Sequence, residues 1–406
     1  MTAIRLACSV NSYHWGKHGL DSKAAQFAAT NPDVTIDANQ PYAELWMGTH
    51  PSGPSRVFGT DTELAAVIDE NPGAALGASV SQRYDGKLPF LFKVLSIEKA
   101  LSIQAHPDKQ LAKLLHTERP NVYKDGNHKP EMSIALTNFI AMSGFRPLDQ
   151  ISGFLDTYPE FRALTANSAA EFQRAAATGN DQERRAALKQ LFSELMNARP
   201  EDVQLQLDTL LARVRGEYAE LDVSEPALVQ RLSAEYPGDV GVFCVFMLNV
   251  LKLQPGDAFY MGPNDPHAYV FGDCVECMAT SDNVVRAGLT PKLRDVPVLV
   301  DMLTYDYGLP AHKLLQPRVD GAHAIYDPPI DEFTVVRSRV AVGQSAALPA
   351  LQGPQIVLVA EGQGQLVTGD ETLPLSPGLV YFVCPGTQCT LTAADSALVT
   401  YTAHCL

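Results

Sequence analysis

The sequence predicts a mainly β protein interrupted by a block of helices. Three observations carry that expectation. Residues 1–146 and 240–406 are built from short apolar runs, aromatics and Gly or Pro turns, the texture of strands joined by tight connections. Residues 147–239 instead hold Ala, Leu, Glu, Gln and Arg segments with apolar positions three or four apart, the period of helices. Finally, one turn–strand–turn–strand unit occurs twice within the β text. At 406 residues, the chain has room for two or three domains of about 150 residues each.

Taken in order, residues 1–60 read as irregular β structure. DTELAAVIDE (61–70) reads as a short helix with an acidic start. LPFLFKVLSIEKALSIQ (88–104) reads as two strands joined by a tight turn at Glu98 and Lys99. DKQLAKLLH (108–116) reads as a helix, with Asp108 placed to cap its first amides. Five or so helices follow between 147 and about 236. From 240 onward, VGVFCVFMLNVLKL and the text to the C-terminus read as strands. A helical block inside a β chain is the signature of an inserted domain. The division expected is 1–146 plus 240–310, then 147–239 as the insertion, then 311–406.

The repeated unit sharpens the fold. Pro255-Gly256 precedes an apolar strand, Pro263, and His267 four residues later. Pro377-Gly378 precedes an apolar strand, Pro385, and Cys389 four residues later. A Gly turn, a strand, a Pro turn and a strand opening on a ligand is the pattern of a cupin-type jelly roll. Two copies imply two such barrels. Only the first keeps a His, so a metal is expected in the first alone and the C-terminal barrel is degenerate.

Charge removes several function classes. Lys plus Arg number 31 against 46 Asp plus Glu, a formal charge of −15. Sequence-independent nucleic-acid binding and adhesion to anionic membranes both need surplus cations. No run approaches the roughly 20 apolar residues of a membrane span. The N-terminal text has no apolar signal core, so a cytoplasmic protein is expected. Seven cysteines, an odd number, make no disulfide framework. Cys274 and Cys277 form a CxxC with no second copy, and read as buried thiols.

The chemistry lies in three separated strings. Leu101-Ser-Ile-Gln-Ala-His106 alternates, so a strand would place Ser102, Gln104 and His106 on one face. Alone, that is as readily a solvated strand face. Asn127-His-Lys-Pro-Glu131 sets His128, Lys129 and Glu131 around a rigid proline, where the plain alternative is an exposed polar turn. Asn264-Asp-Pro-His267 opens a strand with a third candidate. Together, Gln104, His106, Glu131 and His267 make an N/O donor set suited to one zinc ion. A single carboxylate leaves such a site at about +1, apt for polarising a hydroxyl or carbonyl oxygen. Downstream, Thr280-Ser-Asp-Asn-Val-Val-Arg-Ala-Gly-Leu-Thr-Pro-Lys292 carries Asp282, Arg286 and Lys292. A guanidinium fork and an ammonium can hold a phosphate. The run contains no nucleotide-binding glycine pattern.

At these residues the chain resembles type I mannose-6-phosphate isomerases. The resemblance rests on YAELWMGTHPSGP (42–54), LSIQAHPDK (101–109), NHKPEM (127–132) and GDCVECMATSDNVVRAGLTPK (272–292), with PPIDEF (328–333) extending it. It implies a cupin catalytic domain, a helical insertion and a C-terminal jelly roll. It also implies one zinc ion per chain on Gln104, His106, Glu131 and His267. The implied reaction interconverts mannose 6-phosphate and fructose 6-phosphate, a sugar-phosphate step feeding mannose and GDP-mannose metabolism. Arg286 would be the active-site arginine, and Lys292, Ser102 and Lys93 would contact substrate phosphate and hydroxyls.

Moving a proton between C2 and C1 through a cis-enediol needs an oxyanion stabiliser and a base. Glu276 ranks first as base, ahead of Asp282 or of His128 with Lys129. The structural alternative for Glu276 is a buried carboxylate paired with Arg286. An iron-dependent cupin oxygenase would ordinarily show His-x-His where Gln104 stands. A non-catalytic sugar-binding cupin would not need the full ligand set with Arg286 and Lys292. A monomer is expected, since no amphipathic zipper stands out.

Overall fold

The long apolar text after Leu88 becomes the strand Phe90–Ile97 and the short strand Ile103–Ala105. All eight residues of the first are buried, because strands pair with both of its edges and apolar side chains cover both of its faces. The computed structural model describes residues 2–369 and 371–406.

Phe90–Ile97 lies near the middle of a ten-stranded antiparallel sheet that curls around an apolar interior. Its neighbours are Glu44–Met47 on one side and the thirteen-residue strand His267–Ala279 on the other. The latter also pairs with Phe139–Phe145, Glu131–Ala135 and, at His267 alone, with Gln104. One strand thus touches every string that carries a candidate ligand. It also bends. Ile140 faces Phe271 but Ala141 faces Tyr269, so one residue bulges out of register. Gly272 follows at φ 112°, where a Cβ would lie 2.5 Å from the Asn138 carbonyl, so only glycine fits.

Six helices lie between residues 148 and 235. Asp181–Met196 starts on a capping box, with Asn180 and Glu183 satisfying each other's backbone amides. Proline opens Pro159–Leu164 and Pro200–Val214, where its missing N–H costs nothing. The block shares an apolar core with one end of the sheet. Phe192 meets Phe145 edge-on at 5.4 Å, and Tyr305 stacks on Phe145 at 5.4 Å.

The C-terminal text forms a second pair of sheets, one of eight strands and one of four. Three details depart from the sequence reading. Val240–Phe246 is a buried 3₁₀ helix, not a strand; an all-apolar run carries no periodicity to separate the two. Ala3–Ala7 pairs with Val380–Val383, so the chain's first strand hydrogen-bonds within the C-terminal sheet. Helices at Lys23–Ala28, Pro72–Leu76, Ala78–Arg83 and Val296–Met302 were not foreseen; most span under two turns, too short for a periodic signal. Asp108 does cap its helix, accepting from the Gln110 and Leu111 amides. No helix among the described residues is long and apolar enough to cross a membrane.

Candidate metal centre and its cleft

Three of the predicted ligands meet at one point. His106 follows its strand, Glu131 opens Glu131–Ala135, and His267 opens His267–Ala279. All three are at least 98 % buried. His106 Nε2 lies 3.3 Å and His267 Nε2 3.2 Å from Glu131 Oε2, and these atoms are within 4.8 Å of one another.

Hydrogen-bond chemistry fixes what that point wants. His106 Nδ1 donates to the Asn283 carbonyl at 2.7 Å, and His267 Nδ1 donates to the Asp265 carbonyl at 3.0 Å. A carbonyl can only accept, so each ring carries a proton on Nδ1, and in the neutral tautomer this selects, Nε2 is a bare lone pair turned inward. Burial drives His106 down to about 4, which keeps that ring neutral. Burial alone would raise Glu131, but the Lys129 ammonium beside it holds it well below the usual carboxylate range. His106 Nε2, His267 Nε2 and Glu131 Oε2 have no hydrogen-bond partner among the described residues. Three buried acceptors converging without a donor fit a cation and nothing else simple. Gln104 stands opposite His267 in one ladder and opposite Arg286 in the next.

Through Glu131 the cluster adjoins a cleft of about 350 Å³. Gln104, Glu131, Lys129, Lys93, Glu276, Ser102, Arg286 and Lys292 all line it. Glu276 is 3 % exposed. Its Oε1 accepts from the Tyr269 hydroxyl at 2.6 Å, and its Oε2 lies 3.2 Å from Lys93 Nζ. Burial pushes the Glu276 carboxyl up, Lys93 opposes this, and Glu131 adds to it. Burial alone would lower the Lys93 ammonium, but Glu44, Glu276 and Glu131 hold it up. The partner of Glu276 is therefore Lys93, not Arg286. His267 and Glu276 are nine residues apart, an odd number that would set them on opposite faces of a regular strand. The bulge between them restores the same face.

Arg286 is half-buried and has no carboxylate partner among the described residues; burial alone lowers its guanidinium. Lys292 is exposed at the rim. Lys129 Nζ sits 3.0 Å from Glu131 Oε1.

Two candidates leave the cleft. His128 Nε2 turns to Glu332, 2.7 Å away. Asp282 is largely exposed and pairs with His50 at 3.3 Å. Neither lines the cavity, so neither stands where a base must. Sequence reasoning missed Glu44, Tyr269 and the aromatic rim Tyr13, Trp15 and Tyr236. Glu44 had a signal, a carboxylate in an otherwise apolar strand that proves wholly buried. Tyr269 had one too, two residues beyond His267 on the same face. Cys274 and Cys277 are buried on opposite sides of their strand, one in the barrel interior and one against the C-terminal sheet. They cannot share an ion.

Barrel, helical insertion and site define a cupin-type metalloenzyme scaffold with an anion-ready cleft. Comparison with known proteins narrows that class. Models described as the type I phosphomannose isomerase catalytic domain, helical insertion domain and C-terminal region match residues 3–148, 163–248 and 324–371. An AraC-like ligand binding domain model also matches residues 352–406. The chain is similar to mannose-6-phosphate isomerase of Aspergillus fumigatus, 42% identical over 99% of this chain and 96% of that protein. It is similar to that of Saccharomyces cerevisiae, 41% identical over 98% of each. Among solved structures it resembles a mannose 6-phosphate isomerase bound with zinc and yttrium, with 32% identity, TM-score 0.86 and full coverage of both chains. The apo form from Salmonella typhimurium gives 32% identity and TM-score 0.85, covering 100% of this chain and 99% of that one. The chain belongs to the type I phosphomannose isomerase family.

Proposed function

We propose that this chain is a zinc-dependent aldose–ketose isomerase that interconverts D-mannose 6-phosphate and D-fructose 6-phosphate. The observation that carries the reading is the convergence of three bare, buried acceptors beneath a cleft lined by an unpaired guanidinium. The donor set fits one zinc ion per chain, held by His106, Glu131, His267 and Gln104. When bound, the ion supplies positive charge beside the sugar oxygens at which negative charge develops.

The chain's own residues do the rest. In the aldose-to-ketose direction Glu276 takes the proton from C2 and returns it to C1, while the hydroxyl proton passes from O2 to O1, through a cis-enediol. The Tyr269 hydroxyl fixes the orientation of that carboxylate, and Lys93 balances its charge. Arg286 places a second positive charge beside the developing oxyanion. Lys292 and Ser102 hold the phosphate and hydroxyls, and Lys129 keeps Glu131 ionised as a ligand. The enzyme acts on a free sugar phosphate as a monomer in the cytoplasm, feeding mannose and GDP-mannose metabolism.

The deciding experiment is a coupled assay for fructose 6-phosphate alongside metal analysis. One zinc per chain with turnover of mannose 6-phosphate supports the reading. Iron with oxygen consumption, or sugar-phosphate binding without turnover, overturns it. Solvent deuterium entering C1 during turnover supports the enediol route.

A further inference from the structure

The helix Glu225–Glu235 ends beside the cleft, and the nine residues 231–239 hold both of its rims. On one rim, Arg231 donates to the Glu98 carbonyl at 3.0 Å, Glu235 accepts from the Ala100 amide at 2.8 Å, and Tyr236 donates to the Ala100 carbonyl. Leu101 and Ser102 of the cleft wall follow directly.

Asp239 holds the other rim. Its Oδ1 accepts from Gly241 at 2.7 Å and Leu289 at 2.8 Å, and its Oδ2 accepts from the Thr290 amide at 3.0 Å. No cation pairs with this half-buried carboxylate among the described residues; its protein donors are three backbone amides. The turn it grips is unusual. Leu289 sits at φ 53°, a left-handed conformation that a side chain with a Cβ adopts only under strain. A Cβ on Gly288 would lie 2.6 Å from the Gly241 Cα, so the two backbones touch. The next residues, Thr290, Pro291 and Lys292, line the cleft two to four positions from Gly288.

We infer that Asp239 is a positioning residue for phosphate recognition: it locks the 288–292 turn so that Lys292 and Thr290 are pre-set at the rim. The inference rests on the functional reading above and deepens it. It makes the helical insertion a fixed brace of the cleft instead of a moving lid. Strain at Leu289 persists because two hydrogen bonds from the turn to one carboxylate, itself fixed by the Gly241 amide, over-determine it. Pre-set donors bind a phosphate without a further ordering cost.

Asp239→Asn is nearly isosteric but turns an N–H donor toward the Thr290 amide. In that variant, KM for mannose 6-phosphate should rise roughly tenfold, and inorganic phosphate should weaken as a competitive inhibitor by a similar factor. The kcat should stay within about threefold, a split that marks lost ground-state binding. Zinc content should not change. A folded variant with unchanged KM, or one that loses kcat or zinc with KM intact, overturns the inference. A second measurement needs no variant: hydrogen exchange on the wild-type enzyme. The Leu289 and Thr290 amides should be protected with or without inorganic phosphate, whereas fast exchange in the free enzyme overturns a pre-set turn. A wild-type enzyme that fails to turn over mannose 6-phosphate sinks the functional reading, and this inference with it. A wild type that turns over, with the wrong variant phenotype, sinks this inference alone.

Discussion

The two copies of the Pro-Gly unit share a backbone and differ in what they present. Gly256 and Gly378 take φ of 95° and 92°, and each leads into a four-residue strand. Each second strand then opens on its twelfth residue after the Pro, His267 in one copy and Cys389 in the other. His267 meets His106 and Glu131. Cys389 joins Leu348, Leu366 and Leu391 in an apolar cluster, where burial pushes its thiol up to about 11. One frame can therefore build a metal site or a plain core, and the side chains set on it decide which.

The sharpest way to break that contrast is to empty the first copy and fill the second. His267→Ala should lose both zinc and turnover. The expected loss in metal affinity exceeds the roughly 100-fold that follows removal of a group that merely orients a ligand. Metal analysis after dialysis reads it directly, and full zinc occupancy would refute the assignment. Cys389→His should stay metal-free, because the His106–Glu131–His267 group is the one such cluster among the described residues.

Glu276→Gln comes next. It should retain zinc and sugar-phosphate binding while kcat falls roughly 10²–10⁴-fold, the usual scale of a lost general base. The pH profile gives the same test from another side. A base must be unprotonated, and burial raises this carboxyl. Activity should therefore be present above its raised pKa and fall off as pH drops through it, at a higher pH than a free carboxylate would give. Full turnover in the variant removes Glu276 from the role.

Arg286→Ala should cost roughly 10²–10³-fold in kcat, the scale of one lost oxyanion donor. Its thermal stability should barely move, since Arg286 makes no ion pair among the described residues. A large fall in stability with modest loss of kcat would make it a structural residue instead.

How legible all this was follows the same division. The metal donors were readable because each sits beside a signal that survives in one dimension: an alternating strand, a proline-fixed turn, a Pro-Gly frame. The helical insertion was readable from its period. What stayed hidden depends on tertiary detail. No pattern in HAYVFGDCVECMA announces the bulge that brings Glu276 back to the face of His267. His128 and Asp282 lie among cleft-lining residues in the text, but backbone geometry turns each toward a partner outside the cleft. Val240–Phe246 is apolar at every position, so its helical hand was set by packing alone.

The smallest effect expected lies where the two barrels meet. Glu332, from the C-terminal side, accepts from His128 at 2.7 Å and lies 3.6 Å from Lys109 Nζ. It thereby clasps the segment that delivers Lys129 and Glu131. Burial alone would raise its carboxyl, but the His128 hydrogen bond and charge hold it down to about 2. A depressed carboxylate stabilises the fold above its unfolded value of 4.5 and loses that contribution as pH falls toward 2. Glu332→Gln should therefore cost about 2 kcal/mol near pH ~5, where the Glu332 carboxylate is ionised. The wild-type and variant denaturation curves should converge as the pH approaches the folded value. A gap that stays constant across that window would show that the clasp works by packing and not by charge, and would uncouple the C-terminal barrel from the ionisation of the ligand loop.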